Sequence, residues 1–123
     1  MSLNKISAVL LLLSVLSPAL LAADNAPMDD EIDYLIDAIA GNRCTFIRND
    51  RELGRRQARQ HLRSKVRLNA HLIDSTEDFI EKIASASATT GKPYQIACRG
   101  QLVATAGAWF TARLLEYRQG TSR

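Results

Sequence analysis

Apolar and polar positions follow two rhythms along this chain, and they divide it into helices and shorter strands. Ile32, Leu35, Ile36 and Ile39 recur at i, i+3, i+4 and i+7, one apolar stripe that predicts a helix over residues 29–42. Asp29, Asp30 and Glu31 fall in its expected first turn, where carboxylates complement the helix dipole. Gly41 and Asn42 are stop signals. Cys44-Thr45-Phe46-Ile47-Arg48 is β-branched and aromatic and too short for a helix, so it reads as a strand closed by an Asn49-Asp50 turn. A second helix runs from Glu52 or Gly54 to Leu68, with a short connection over residues 69–73. A third begins at Asp74 or Ser75, where Asp74 with Glu77 and Ser75 with Asp78 offer rival capping boxes. Phe79, Ile80 and Ile83 form its core face. The small run Ala84-Ser85-Ala86-Ser87-Ala88 continues it, and Gly91 followed by Pro93 ends it. Residues 94–98 are a second strand, Arg99-Gly100 a turn, and residues 101–105 offer a third strand. A last helix over 106–119 aligns Trp109, Phe110, Leu114 and Tyr117, with the Arg113 stem along the same stripe.

The order α-β-α-α-β-(β)-α predicts an α+β fold, a small two- or three-stranded antiparallel sheet packed with about four helices. No repeat, linker or low-complexity stretch interrupts it. Residues 24–123 are therefore expected to form a single domain, of a size that folds alone with little margin.

The first 23 residues stand apart. One lysine, Lys5, precedes an apolar run broken only by Ser7 and Ser14, and small residues lead to Ala23. This is the three-part plan of a secretory signal peptide cleaved near Ala23. The run is about 11 residues, well short of the ~20 that span a bilayer core. The expected location is the bacterial periplasm. Two cysteines, Cys44 and Cys98, exported into an oxidising space are most simply a disulfide. Closing that loop would stabilise the chain by on the order of 4 kcal/mol in the chain-entropy model. There is no Cys-x-x-Cys, and His61 and His71 lie ten apart, so neither a redox motif nor a metal site is expected.

Several chemistries fail on spacing. Thr90-Gly91-Lys92 has the end of a phosphate-binding loop, but Ala86 stands where a glycine is needed and Pro93 follows the lysine. No His-Glu-x-x-His or Gly-x-Ser-x-Gly is present. No cofactor is expected. Removing Lys5 with the leader leaves 15 basic against 13 acidic residues, too even a balance to name a partner.

The distribution of charge says more. Residues 24–37 hold six acids and no base, whereas residues 51–67 hold seven bases and one acid. Arg56, Arg59, Arg63 and Arg67 fall within an arc of roughly 80° on an ideal helix. That face is either a solvated surface balanced by the acidic helix or a site for an anionic envelope polymer or lipid headgroups. The export signal argues against nucleic acid. On the same wheel His61 and Lys65 are i, i+4 neighbours beside the apolar stripe of Ala58, Leu62 and Val66. Groups so placed need partners, and Ser85, Ser87, Asn49 or a backbone carbonyl are the candidates. They are either a hydrogen-bonded structural pair or the floor of a small polar pocket.

Phe46-Ile47-Arg48-Asn49, His61-Leu62-x-x-Lys65, and the block from Phe79 through Ala84-Ser85-Ala86-Ser87 to Gly91-Lys92-Pro93-Tyr94 resemble the YfeK-like family of small exported bacterial proteins. The resemblance spans about residues 31–118. It departs at Asn49-Asp50, where the family has Asn-Gly, near Leu53, where an aromatic is common, and at Cys98, which has no constant counterpart. The family is a domain of unknown function, so the resemblance implies an address and an extent, not a reaction. It marks Arg48, Asn49, His61, Lys65, Ser85, Ser87 and Tyr94 as candidate ligand-binding positions. The expectation is a non-enzymatic periplasmic binding or interaction domain, with an envelope protein or anionic polymer as partner. A small-ligand binder or enzyme using His61, Lys65 and the Ser85/Ser87 segment is the alternative, and anion binding through the arginine face is another.

Overall fold

The computed structural model describes residues 25–121, and the expected signal segment lies outside the described residues. Helix α1 (Asn25–Gly41) leads to strands β1 (Cys44–Arg48) and β2 (Arg51–Leu53), then helix α2 (Arg55–Leu68). A 3-10 turn (Ala70–Leu72) precedes α3 (Thr76–Asp78), which widens into a π turn (Phe79–Ile83). Strands β3 (Gln95–Cys98) and β4 (Gln101–Thr105) and helix α4 (Ala106–Thr121) complete the domain. The class is α+β, with a four-stranded antiparallel sheet in the order β2-β1-β3-β4. No helix among the described residues is long and apolar enough to cross a membrane.

The sheet is two hairpins joined through β1 and β3. Each turns on two residues at positive φ, Asn49 and Asp50 in one, Arg99 and Gly100 in the other. That pair of left-handed conformations suits the twist of adjacent antiparallel strands, and Asn, Asp and Gly enter it at least cost. Cys44 and Cys98 are direct partners across β1 and β3, with Cα atoms 4.1 Å apart, and their sulfurs are bonded. The staple therefore ties one hairpin to the other. Phe46 pairs with Ile96 on the same face, and both are fully buried. The α1 stripe of Ile32, Leu35, Ile36 and Ile39 joins them, with Leu62, Phe79, Ile83, Trp109, Phe110 and Leu114. Each such side chain contributes about 1.5–3 kcal/mol on burial.

The sequence expectations need three corrections. Helix α1 begins at Asn25, a turn before the expected start, so Asp29, Asp30 and Glu31 are not in its first turn. Pro27 near the helix start loses nothing there, because the first N–H groups have no helical partner. The sheet has a fourth strand, since Arg51-Glu52-Leu53 pairs with β1 before Gly54 caps α2. The third helix stops far short of Gly91. Ser75 Oγ accepts from Asp78 N at 3.0 Å, which selects the Ser75 register. Ala84 N then reaches back to Phe79 O, and Ala86 makes a single antiparallel bridge with Pro93. The Ala-Ser-Ala-Ser run is a bend leading into that bridge, not helix.

Candidate functional site

Ala58 and Leu62 are fully buried and fix the rotation of α2. His61 and Lys65 are thereby held at the rim of the core, both half-buried. The Lys65 ammonium donates to Ile83 O at 2.7 Å, Ala86 O at 3.0 Å and Tyr94 Oη at 3.0 Å. Those are three acceptors for three protons. It also lies 4.8 Å from the centre of the Tyr94 ring, on which a cation is favoured. The Ile83 carbonyl, at the end of the π turn, and the Ala86 carbonyl, three residues beyond it, point at Lys65 instead of continuing a helical ladder.

Tyr94 is only 1% exposed. Its backbone is pinned by Tyr94 N to Ser85 O and by Ala106 N to Tyr94 O, both 2.8 Å. Its ring packs on Phe46, with centroids 4.7 Å apart. His61 Nε2 lies 2.9 Å from Tyr94 Oη. Lys65 can only donate, so the Tyr94 oxygen accepts from it, and the Tyr94 hydroxyl donates its own proton to His61 Nε2, which accepts. That makes His61 the neutral Nδ1–H tautomer. Burial, then the charges of Arg48 and Lys65, push the imidazole pKa below its ordinary value, in agreement with a neutral ring.

The remaining motif residues form a different group. Asn49 Nδ2 donates to Ser87 Oγ at 3.3 Å, Ser87 Oγ meets Thr89 Oγ1 at 3.0 Å, and Thr90 Oγ1 donates to Asn49 Oδ1 at 2.5 Å. Ser87 is buried, and this group locks the β1–β2 turn to the loop around Gly91. Ser85 stands alone, donating to Ile80 O at 2.5 Å across the π turn. Gly107 on α4 makes room for it, since a Cβ there would sit 2.8 Å from Ser85 Oγ. Neither serine hydroxyl bonds to His61 or Lys65. The seven motif positions thus separate into a Lys65–Tyr94–His61 cluster, an Asn49–Ser87 cluster, Ser85 on its own, and Arg48 at the end of β1.

On the outer side of α2, Arg63 pairs with Asp33 at 2.8 Å and approaches Asp37 at 3.9 Å, while Arg59 reaches Asp37 at 3.3 Å. Arg67 donates to Ser64 at 3.2 Å. A shallow groove of about 450 Å³ is lined by Arg59, Gln60, Arg63, Ser64 and Arg67; Arg56 lines another, beside Asp37. Among the described residues, no group of three or more His, Cys, Asp or Glu side chains is placed to hold a metal ion.

Sequence reasoning missed a further polar cluster. Arg118 Nε donates to Glu31 at 2.7 Å and Nη1 to Glu77 at 2.6 Å, while buried Thr76 donates to Glu31 at 2.6 Å. These bonds tie α4 to α1 and α3. The hydrogen bond from Arg118 holds the Glu31 and Glu77 carboxyls below their ordinary values, with burial opposing it. Only the isolation of six acids over residues 24–37 of the sequence hinted at partners elsewhere, and no local spacing pointed to Arg118.

Fold and clusters together define a small disulfide-stapled α+β domain organised around a saturated lysine. The chain belongs to the family of unknown function DUF5329, whose model matches residues 26–118. It is similar to the uncharacterized protein YfeK of Salmonella typhimurium (strain LT2), 39% identical over 71 residues, which covers 57% of this chain and 59% of that protein. The match thus spans less than two thirds of the relative's length, and it agrees with the YfeK-like resemblance of the motif residues. No solved structure matches.

Proposed function

We propose that this protein is an exported, periplasmic binding domain with no catalytic activity of its own. One observation carries the non-catalytic reading: all three Lys65 protons are taken by acceptors of the fold itself. A nucleophilic or acid–base lysine needs a free atom within reach of a substrate, and this one is spent on Ile83, Ala86 and Tyr94. Export is supported by the leader pattern of residues 1–23 and by the Cys44–Cys98 bond, a pairing typical of oxidising compartments. The arginine face enters this reading as a solvated surface, because Asp33 and Asp37 already face Arg59 and Arg63.

Brief acylation of the native protein, mapped by mass spectrometry, tests the inert lysine. Lys82 and exposed Lys92 should label early and Lys65 last, and Lys65 labelling first would mark an activated amine. Fractionation with alkylation under denaturing, non-reducing conditions tests the address. The expected product is periplasmic, begins near Asp24 and carries no free thiol; a cytoplasmic protein with both cysteines labelled would refute export.

A further inference from the structure

The two edges of the sheet differ. Strand β2, at one edge, has three residues, of which Arg51 and Glu52 are charged and exposed. Shortness and charge are how folds keep an open edge from pairing with another chain. Strand β4, at the other edge, has five residues with no charge and no proline, and Leu102 and Val103 are 64% and 52% exposed.

The main chain of β4 has groups free for pairing. Cys44 and Cys98 have the close Cα spacing of a pair without mutual hydrogen bonds, so Cys98 turns its N–H and C=O to Gln101 on β4. Alternation then turns those of Leu102 to the open edge. From the other end, Ala106 N donates to Tyr94 O at 2.8 Å, so the preceding N–H, that of Thr105, also points outward. The Leu102 side chain lies beside Ala97, on the sheet face opposite Ile96 and the core. Val103 is the extra residue of a bulge, since Ala104 pairs with Ile96 and Leu102 with Ala97.

Charge selects the occupant. Residues 95–115 contain no acid. Exposed Arg99, at the head of β4, has no carboxylate partner among the described residues. At its foot β4 runs into the first turn of α4, which carries no acid, so the positive end of that helix dipole is uncompensated. Antiparallel pairing of two β4 strands about Val103 would set bulge against bulge and bring Arg99 to the first turn of the other copy's α4. A second copy is therefore a poor occupant, and a strand flanked by carboxylates is a good one.

We propose that the β4 edge docks an extended apolar segment of a partner protein, flanked by carboxylates, as a fifth strand of the sheet. Main-chain bonds to Leu102 and Thr105 hold the segment, Leu102 and Ala97 seat its side chains, and a flanking acid meets Arg99. The inference rests on the binding-domain reading and names its class of partner. Its test uses purified protein, so it can fail while export and the inert lysine stand, and the reverse.

Titration of nitrogen-15-labelled protein with a synthetic peptide, alternating valine and threonine with an aspartate at each end, decides it. The Leu102, Val103 and Thr105 amide signals should shift together and saturate, and those of Arg51, Glu52 and Leu53 should stay in place. Leu102→Lys puts a charge on the edge and should weaken binding about tenfold or more. Arg99→Gln should weaken it several-fold, and Glu52→Gln should leave it unchanged. Should Leu102→Lys disturb the fold, methylating the peptide nitrogens removes the main-chain donors without touching the protein, and should abolish binding. The proposal is overturned by the absence of saturable shifts along β4, or by equal binding of the methylated peptide or of one with lysine ends. Shifts of the same signals with protein concentration alone would also overturn it, by giving the edge to a second copy.

Discussion

The two sides of helix α2 carry the same charge and handle it in opposite ways. On the inner side Lys65 has no carboxylate partner among the described residues, and its protons are satisfied by two carbonyls and a phenol oxygen. On the outer side Arg59 and Arg63 have carboxylates from α1, but in water. The inner arrangement shapes the chain: it draws two carbonyls inward where the π turn ends and just beyond, and holds Tyr94 and His61. The outer one lies on finished helices. A cation near the core is held by how many acceptors are aimed at it, whereas a surface ion pair contributes little in high dielectric.

Lys65→Met should give the largest effect. The stem still packs, but Ile83 O, Ala86 O and Tyr94 Oη lose their donor, and urea unfolding should show a loss of about 1–3 kcal/mol. A neutral or more stable variant would mean that water serves those acceptors equally well. Tyr94→Phe comes next, at about 1 kcal/mol or more, because Lys65 and His61 both lose a partner. The double variant should cost clearly less than the two single losses together, as for residues in one network.

His61 gives the comparison a pH dependence. Its folded pKa lies below the unfolded value, so between the two the unfolded chain binds more protons. The contribution is whole above the unfolded value, near 6.5, and is lost as pH falls through the folded one. Wild type should therefore lose stability relative to His61→Gln as pH falls from neutral through this window, before the carboxylates titrate. Parallel melting curves for the two would break the assignment. The smallest effect is expected outside. Arg63→Met should cost less than about 1 kcal/mol, and molar salt should shrink even that.

How far the sequence reached follows the same division. The α1 stripe, strand β1, the two turns and the last helix are local patterns, and periodicity with turn chemistry was enough to find them. So was the placement of His61 and Lys65 on the inner side of α2, since only the helical period is needed. What turns the chain after the π turn was not local. Ala84-Ser85-Ala86-Ser87 is compatible with helix by composition, and the deciding contact comes from Lys65, 18 residues from Ile83. Strand β2 was hidden because Arg51-Glu52-Leu53 is short and charged and acquires its conformation from pairing with β1. The seven motif residues were named together, yet tertiary structure divides them among separate clusters, a distinction that no spacing along the chain contains.

The central claim is that Lys65, Tyr94 and His61 form one closed, directed set of hydrogen bonds. The nitrogen-15 shifts of His61 at neutral pH test it most directly. The account predicts a neutral ring protonated on Nδ1, with an unprotonated Nε2 accepting from Tyr94, and it predicts that Tyr94→Phe releases the ring to a mixture of tautomers. A His61 protonated on Nε2 in the wild type, or a ring indifferent to Tyr94→Phe, would contradict it.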